Sequence, residues 1–148
     1  MATLDSTGHK LEISCGSCGQ KNRVPVSRLD AGPVCGACKS KLELDGPVTV
    51  TDRSFDGLLG SAAVPVVVDF WADWCGPCRM LAPELEQVAR QAGNAVIVAK
   101  LDTERDRRTA ARFGVRSIPL LIKFEAGQEA RRLVGAQPAH AIRAQLGL

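Results

Sequence analysis

Tyrosine is absent from this 148-residue chain, and aromatic residues together make up only 4% of it. None of those aromatics falls within residues 1–46, so that part offers no ring on which a nucleic-acid base could stack. Apolar runs of membrane-spanning length are missing as well. No run, Val64 to Val68 included, approaches the roughly 20 residues needed to span a bilayer, so no membrane helix is expected. Charge of one sign is not in excess either. The formal net charge of +3 argues against a polyphosphate binder that works by bulk electrostatics. No glycine-rich nucleotide fingerprint is present, so no bound organic cofactor is expected and any electrons must come from a partner. The first residues, Met1-Ala2-Thr3-Leu4-Asp5-Ser6, form neither a basic nor an apolar leader region, and a reducing, cytoplasmic setting is the working expectation.

What the chain does have is six cysteines, arranged as three Cys-x-x-Cys pairs. In a reducing compartment such pairs bind metal or carry out redox chemistry more often than they build a disulfide framework. The sequence divides near Asp45-Gly46-Pro47. Residues 1–46 hold four of the cysteines and too few large apolar side chains for a core, so a metal, disulfides or a partner is expected to hold them. Residues 47–148 hold both tryptophans, all four phenylalanines and the long apolar segments, enough to bury a core unaided.

Cys15-Gly16-Ser17-Cys18 and Cys35-Gly36-Ala37-Cys38 are separated by 16 residues, the paired-knuckle spacing of a four-cysteine zinc ribbon. Each turn aims two thiolates at one point, and two turns complete a tetrahedron around one structural Zn²⁺. Two disulfides or free thiols are the alternatives. His9 reads as a solvent-exposed histidine, because four cysteines already fill the shell. Residues 1–46 carry six Lys/Arg against five Asp/Glu. Four thiolates and one Zn²⁺ turn that +1 into about −1, so nucleic acid is not the expected partner. A small structural module docked on the second domain or on a partner is the favoured reading.

In the second part, Val64–Trp71, Ala95–Leu101 and Pro119–Phe124 read as strands, and Ala126-Gly127-Gln128 as a hairpin turn. Leu81, Leu85, Val88 and Ala92 recur at the spacing of one helical face, with Pro83 expected to kink the helix. Asp106–Phe113 and Pro138–Leu146 read as further helices, and the alternation predicts an α/β fold.

The third cysteine pair is set differently. Trp71-Ala72-Asp73-Trp74-Cys75-Gly76-Pro77-Cys78-Arg79 follows a buried strand and precedes the amphipathic helix. Cys75 is thereby placed at a helix N-terminus, where the dipole and unpaired amides favour a thiolate. Cys78 lies one turn on, close enough to attack a mixed disulfide at Cys75, and its sulfur is expected to be the more buried. Pro77 stiffens the turn between the two. No further cysteines remain to complete a metal site here, so a redox pair is expected. Asp69 stands within a run of Val and Phe, where burial should raise its pKa and let it take the proton of Cys78. A strand-end acid reaching solvent is the plainer alternative, as is a solvated Lys100. Trp71 is expected to support the site from beneath, and Trp74 to stand exposed beside the sulfurs.

Trp74-Cys75-Gly76-Pro77-Cys78 resembles the active-site signature of thioredoxins, and the resemblance covers about residues 47–148. Asp69, in Val68-Asp69-Phe70-Trp71-Ala72, resembles the family's buried acid, and Lys100, in Ala99-Lys100-Leu101-Asp102, its buried lysine partner. Ile118-Pro119 resembles the segment whose cis-proline lines the substrate groove, and Gly135 a groove glycine. Leu120 departs from the threonine commonly found there. With four cysteines ahead of it, the chain resembles the thioredoxin-2 type, which carries an N-terminal zinc domain. The resemblance implies a thioredoxin fold, a central mixed sheet flanked by helices, over residues 47–148, behind a ribbon domain of residues 1–46. It also implies a monomeric protein-disulfide reductase, in which Cys75 attacks and Cys78 resolves. Trp74, Gly76 and Pro77 would join Ile118, Pro119 and Gly135 against the substrate, and an NADPH-dependent thioredoxin reductase would restore the dithiol. Two rivals remain: a binding or chaperone module that uses this domain as a docking platform, and a redox sensor whose zinc is ejected on oxidation. A pure docking module needs neither Cys75 nor Cys78.

Overall fold

The computed structural model describes residues 2–148. Its first part is an antiparallel sheet of β1 (Ala2–Leu4), β2 (Lys10–Ser14) and β3 (Lys21–Pro25), in that order. Alternation along the strands sets its two faces: Leu11, Ile13 and Val24 are buried, whereas Lys10, Lys21 and Arg23 are exposed. A 3-10 turn, Val26–Ala31, then buries Val26 and Leu29 and stops at Gly32, whose φ of 70° suits glycine.

Residues 1–46 have no core of their own: Leu11, Ile13, Val24, Val26, Leu29, Leu42 and Leu44 are buried in one cluster with Val48, Val50, Phe55, Leu58, Val66, Val68 and Phe70, the arrangement of a module docked on the second part. The segment is too small to enclose an apolar interior alone, so it lays its apolar face on the one the larger sheet offers. Each such side chain removed from water contributes on the order of 2 kcal/mol. The backbones also meet closely. Gly8, at φ 80°, abuts Ser54 and Leu58, and Gly57 abuts Thr7, leaving no room for a Cβ at either glycine. Asn94 completes the join, accepting the Leu44 amide at 2.9 Å and donating to the Leu42 carbonyl at 2.8 Å.

The second part is a mixed sheet of β4 (Val48–Thr49), β5 (Val66–Trp71), β6 (Ile97–Asp102), β7 (Leu120–Glu125) and β8 (Gln128–Val134), ordered β4-β6-β5-β7-β8. β4 and β5 run parallel to β6, while β7 and β8 are antiparallel to their neighbours. Helices α1 (Phe55–Ser61), α2 (Gly76–Ala92), α3 (Arg107–Arg112) and α4 (Ala139–Leu146) flank it. The central strands are buried on both faces, which is why they read as unbroken apolar runs. One face, with Val66, Val68, Phe70, Ile97 and Ile122, joins the ribbon and α1. The other, with Val67, Val98 and Leu121, packs on Leu81, Leu85 and Val88 of α2 and on Ile142 and Leu146 of α4. α2 runs unbroken through Pro83. The hairpin turn falls at Ala126-Gly127, both at positive φ (49° and 77°), which matches the twist of β7 and β8. Among the described residues no helix is long and apolar enough to cross a membrane.

Besides the close approach at Gly8 and Gly57, hydrogen bonds at Ala63 and Asn94, which precede β5 and β6, join the ribbon to the larger part. Cys75 follows the C-terminal end of β5, so these hydrogen bonds and the dithiol lie at opposite ends of the two strands.

Candidate active site and metal cluster

β5 ends at Trp71, and the next residues turn the chain directly into α2, with Cys75 as its N-cap. The structure is the oxidised form: the sulfurs of Cys75 and Cys78 are bonded, with their Cα atoms 5.2 Å apart. The Cys78 amide lies 3.1 Å from Cys75 Sγ, and the Ile118 carbonyl lies 3.8 Å from that same sulfur. An N–H aimed at Cys75 Sγ, added to the positive end of a 17-residue helix, favours negative charge there once the bond is reduced. As whole residues both cysteines are buried, Cys75 at 3% exposed and Cys78 at 4%. What distinguishes them is position, because Cys75 is the cap that receives the amide and Cys78 the residue that supplies it.

Asp69 sits two residues before the end of β5 and is 1% exposed. Strand alternation turns it to the α2 side of the sheet, together with Val67. Neither of its carboxylate oxygens has a hydrogen-bond partner among the described residues. Burial pushes its pKa up to about 7, partly opposed by the charge of Lys100. Lys100 is its registered neighbour on β6; it is half-buried and lies 4.9 Å over the ring of Trp71. Trp71 is itself half-buried.

Around the sulfurs, Gly76 and Pro77 open α2, and the Ile118–Pro119 peptide is cis. The Pro119 carbonyl accepts the Gly135 amide at 2.9 Å, which brings Gly135, at φ 93°, to the same loop. Trp74 is 66% exposed, and its indole N–H donates to Glu104 at 2.8 Å. Glu104 was not read from the sequence. Nothing in its local pattern marks it, because its partner lies 30 residues away and on another element.

The other four cysteines form a separate cluster. The Sγ atoms of Cys15, Cys18, Cys35 and Cys38 all lie within 4.8 Å of one another, with Cys15–Cys38 at 3.5 Å and Cys18–Cys35 at 3.6 Å. Those separations are far too long for S–S bonds, and the four thiols are free. Sulfurs at about 2.3 Å from a tetrahedral zinc stand roughly 3.8 Å from each other, so the donor set fits zinc. The two knuckles are built alike. The Gly19 and Lys39 amides close them onto the Cys15 and Cys35 carbonyls at 2.9 and 3.0 Å. The Ser17 and Ala37 amides each lie 3.4 Å from the Cys15 and Cys35 sulfurs, supporting thiolate charge. His9 is exposed and takes no part in the cluster.

A family model described as Thioredoxin matches residues 46–147, and one described as Thioredoxin 2, N-terminal matches residues 14–40. The chain is 44% identical to Thioredoxin C-3 of Corynebacterium nephridii over 124 residues, covering 84% of this chain and 85% of that protein. It is 46% identical over 99 residues to Thioredoxin of Alicyclobacillus acidocaldarius subsp. acidocaldarius, covering 67% of this chain and 93% of that one. A match of 49% over 90 residues joins it to the Bifunctional thioredoxin reductase/thioredoxin of Mycobacterium leprae (strain TN), covering 61% of this chain and 20% of that protein.

Proposed function

The chain belongs to the thioredoxin family, and from that membership we propose which residues carry its chemistry and where its electrons come from. It is a thiol–disulfide oxidoreductase that reduces protein disulfides through the Cys75/Cys78 pair. The observation that carries the residue assignment is the Cys78 amide 3.1 Å from Cys75 Sγ at the start of α2.

In the reduced protein Cys75 attacks as the thiolate. One substrate sulfur bonds to Cys75 and the other leaves as a thiolate. Cys78 then loses its proton and attacks the Cys75 sulfur, which expels the second substrate sulfur. Two electrons have passed to the substrate, and the Cys75–Cys78 disulfide is restored. Asp69 accepts the Cys78 proton, because a carboxyl with a pKa of about 7 is matched to proton transfer near neutral pH. Lys100 tunes that carboxyl by its charge. Trp74, Gly76, Pro77, Ile118, Pro119 and Gly135 form the surface against which the substrate chain lies. The four ribbon cysteines hold one structural zinc, which cross-links the two knuckles, and no organic cofactor is bound. Residues 1–46 and 47–148 are its two domains. The protein works as a monomeric electron carrier in the cytoplasm, recharged by a separate NADPH-dependent thioredoxin reductase. The name of the Mycobacterium leprae relative, which joins both activities, supports that donor.

The test is a Cys78→Ser variant mixed with a disulfide-bonded protein such as insulin. A covalent complex through Cys75, dissolved by dithiothreitol, is expected to accumulate; the absence of any complex would count against Cys75 as the attacking group. Asp69 is tested by stability. A carboxyl whose pKa rises from 3.8 to about 7 on folding keeps its proton in the native state while the unfolded chain loses it. That costs stability progressively between about pH 4 and pH 7, and in full above, up to roughly 4 kcal/mol. Asp69→Asn is therefore expected to be more resistant to urea than wild type at pH 8, with the gain shrinking toward pH 4. A gain independent of pH would contradict the assignment.

A further inference from the structure

Building on the dithiol reading above, we infer that the α3 side of the active site is an electrostatic docking surface for acidic protein segments, which makes disulfides flanked by aspartate or glutamate the favoured substrates. Residues 103–116 carry five arginines against Glu104 and Asp106, a net of +3 that equals the formal charge of the whole chain. The two acids do little to offset this at the surface. Asp106 is buried, and its Oδ1 accepts the Asp52 amide at 2.9 Å. Glu104 is engaged on both oxygens, by the Trp74 indole at 2.8 Å and by Arg107 at 3.8 Å. Arg112 pairs with Asp56 at 2.6 Å, and the charge of Arg108 acts on Asp52. Arg105 and Arg116 are exposed and form no ion pair among the described residues.

Hydrogen bonds and chain continuity place the backbone of these two cations on segments that flank the dithiol, against which Asp73, exposed two residues before Cys75, sets one carboxylate. Arg105 follows Glu104, which holds the indole of the residue immediately before Cys75. Arg116 lies two residues before Ile118, whose carbonyl is 3.8 Å from Cys75 Sγ. A substrate sulfur that reaches Cys75 must bring its flanking residues close to both approaches. Opposite charge there raises the rate of productive encounter by roughly ten- to a thousandfold at low salt, and ions in solution screen it. The chain carries only +3 overall, so the attraction is local to this face rather than a general pull on polyanions.

The experiment compares two disulfide-linked peptides, identical except for flanking Asp/Glu in one and Ser/Gln in the other, reduced by the full chain with dithiothreitol as donor. The acidic peptide is expected to react about tenfold faster at low salt, and only about twofold faster near 0.2 M. Arg105→Glu/Arg116→Glu should remove that preference. Lys21→Glu/Arg23→Glu on the ribbon changes net charge equally and should keep it. Arg105→Gln/Arg116→Gln, which makes no new repulsion, should lose part of it and guards against misfolding of the reversed pair. Equal wild-type rates on both peptides, or a preference that tracks net charge wherever the substitutions lie, would overturn the docking surface and leave the dithiol chemistry intact. A wild type that reduces neither peptide overturns the dithiol reading, and the docking surface with it.

Discussion

Cys75→Ser should reduce insulin disulfides no faster than the dithiothreitol control, a loss of roughly a thousandfold or more. The size follows from the nucleophile. A serine hydroxyl stays protonated at neutral pH, whereas the Cys75 sulfur faces the Cys78 amide and the positive end of α2, both of which favour the anion. Cys78, left without its disulfide partner in this variant, does not take its place: it supplies the amide at the start of α2 rather than receiving it, and no second thiol is left beside it to resolve a mixed disulfide. The other four cysteines are gathered in the ribbon cluster. Unfolding would be a trivial cause of loss, so circular dichroism and the thermal midpoint should match those of the reduced wild type. Retained turnover in a folded Cys75→Ser would remove the reductase reading. A residual rate at the control level supports it.

Loss of the metal cluster is expected to reach well beyond the ribbon. Cys35→Ser, or removal of metal with a strong chelator, should lower the thermal midpoint by more than about 10 °C. Cys35 is fully buried, and its knuckle is steadied from outside by Asn22, whose side-chain oxygen accepts the Gly36 amide at 3.0 Å. Once the knuckle opens, four cysteines no longer hold Leu29, Leu42 and Leu44 against the sheet, and these belong to the same buried cluster as Phe55, Val66 and Phe70. Exposing that face costs the larger part some of its own burial. Calorimetry of the metal-loaded and stripped proteins is expected to show one transition moving down as a whole. Two transitions, with the upper one unmoved, would mean that the shared core does not couple the parts.

The residues that carry chemistry were legible because their geometry is local. A Cys-x-x-Cys turn brings its own two sulfurs together whatever surrounds it, so Cys75/Cys78 and the two ribbon knuckles could be read from spacing. Central strands were equally plain, since burial on both faces leaves an unbroken apolar run such as Val66–Val68. Other elements escaped for stated reasons. α1 holds two glycines in seven residues and is helical because Phe55, Leu58 and Leu59 are buried. β1 to β3 are short, and their apolar positions made sense only once a second surface covered them.

By itself, then, the sequence determined the two kinds of cysteine site, the α/β class and the family to which the dithiol belongs. The tertiary structure decided that the ribbon shares a core with the larger sheet, that Gly8 and Gly57 let the two backbones touch, and that Glu104 holds Trp74. It also set Asp69 beside Lys100 with, among the described residues, no hydrogen bond to either carboxylate oxygen. The physical reason is range. A turn or a helix face is set by residues three or four apart, whereas these contacts join positions 30 or more residues apart. They exist only after hydrophobic burial has brought the elements together, and no local pattern records them.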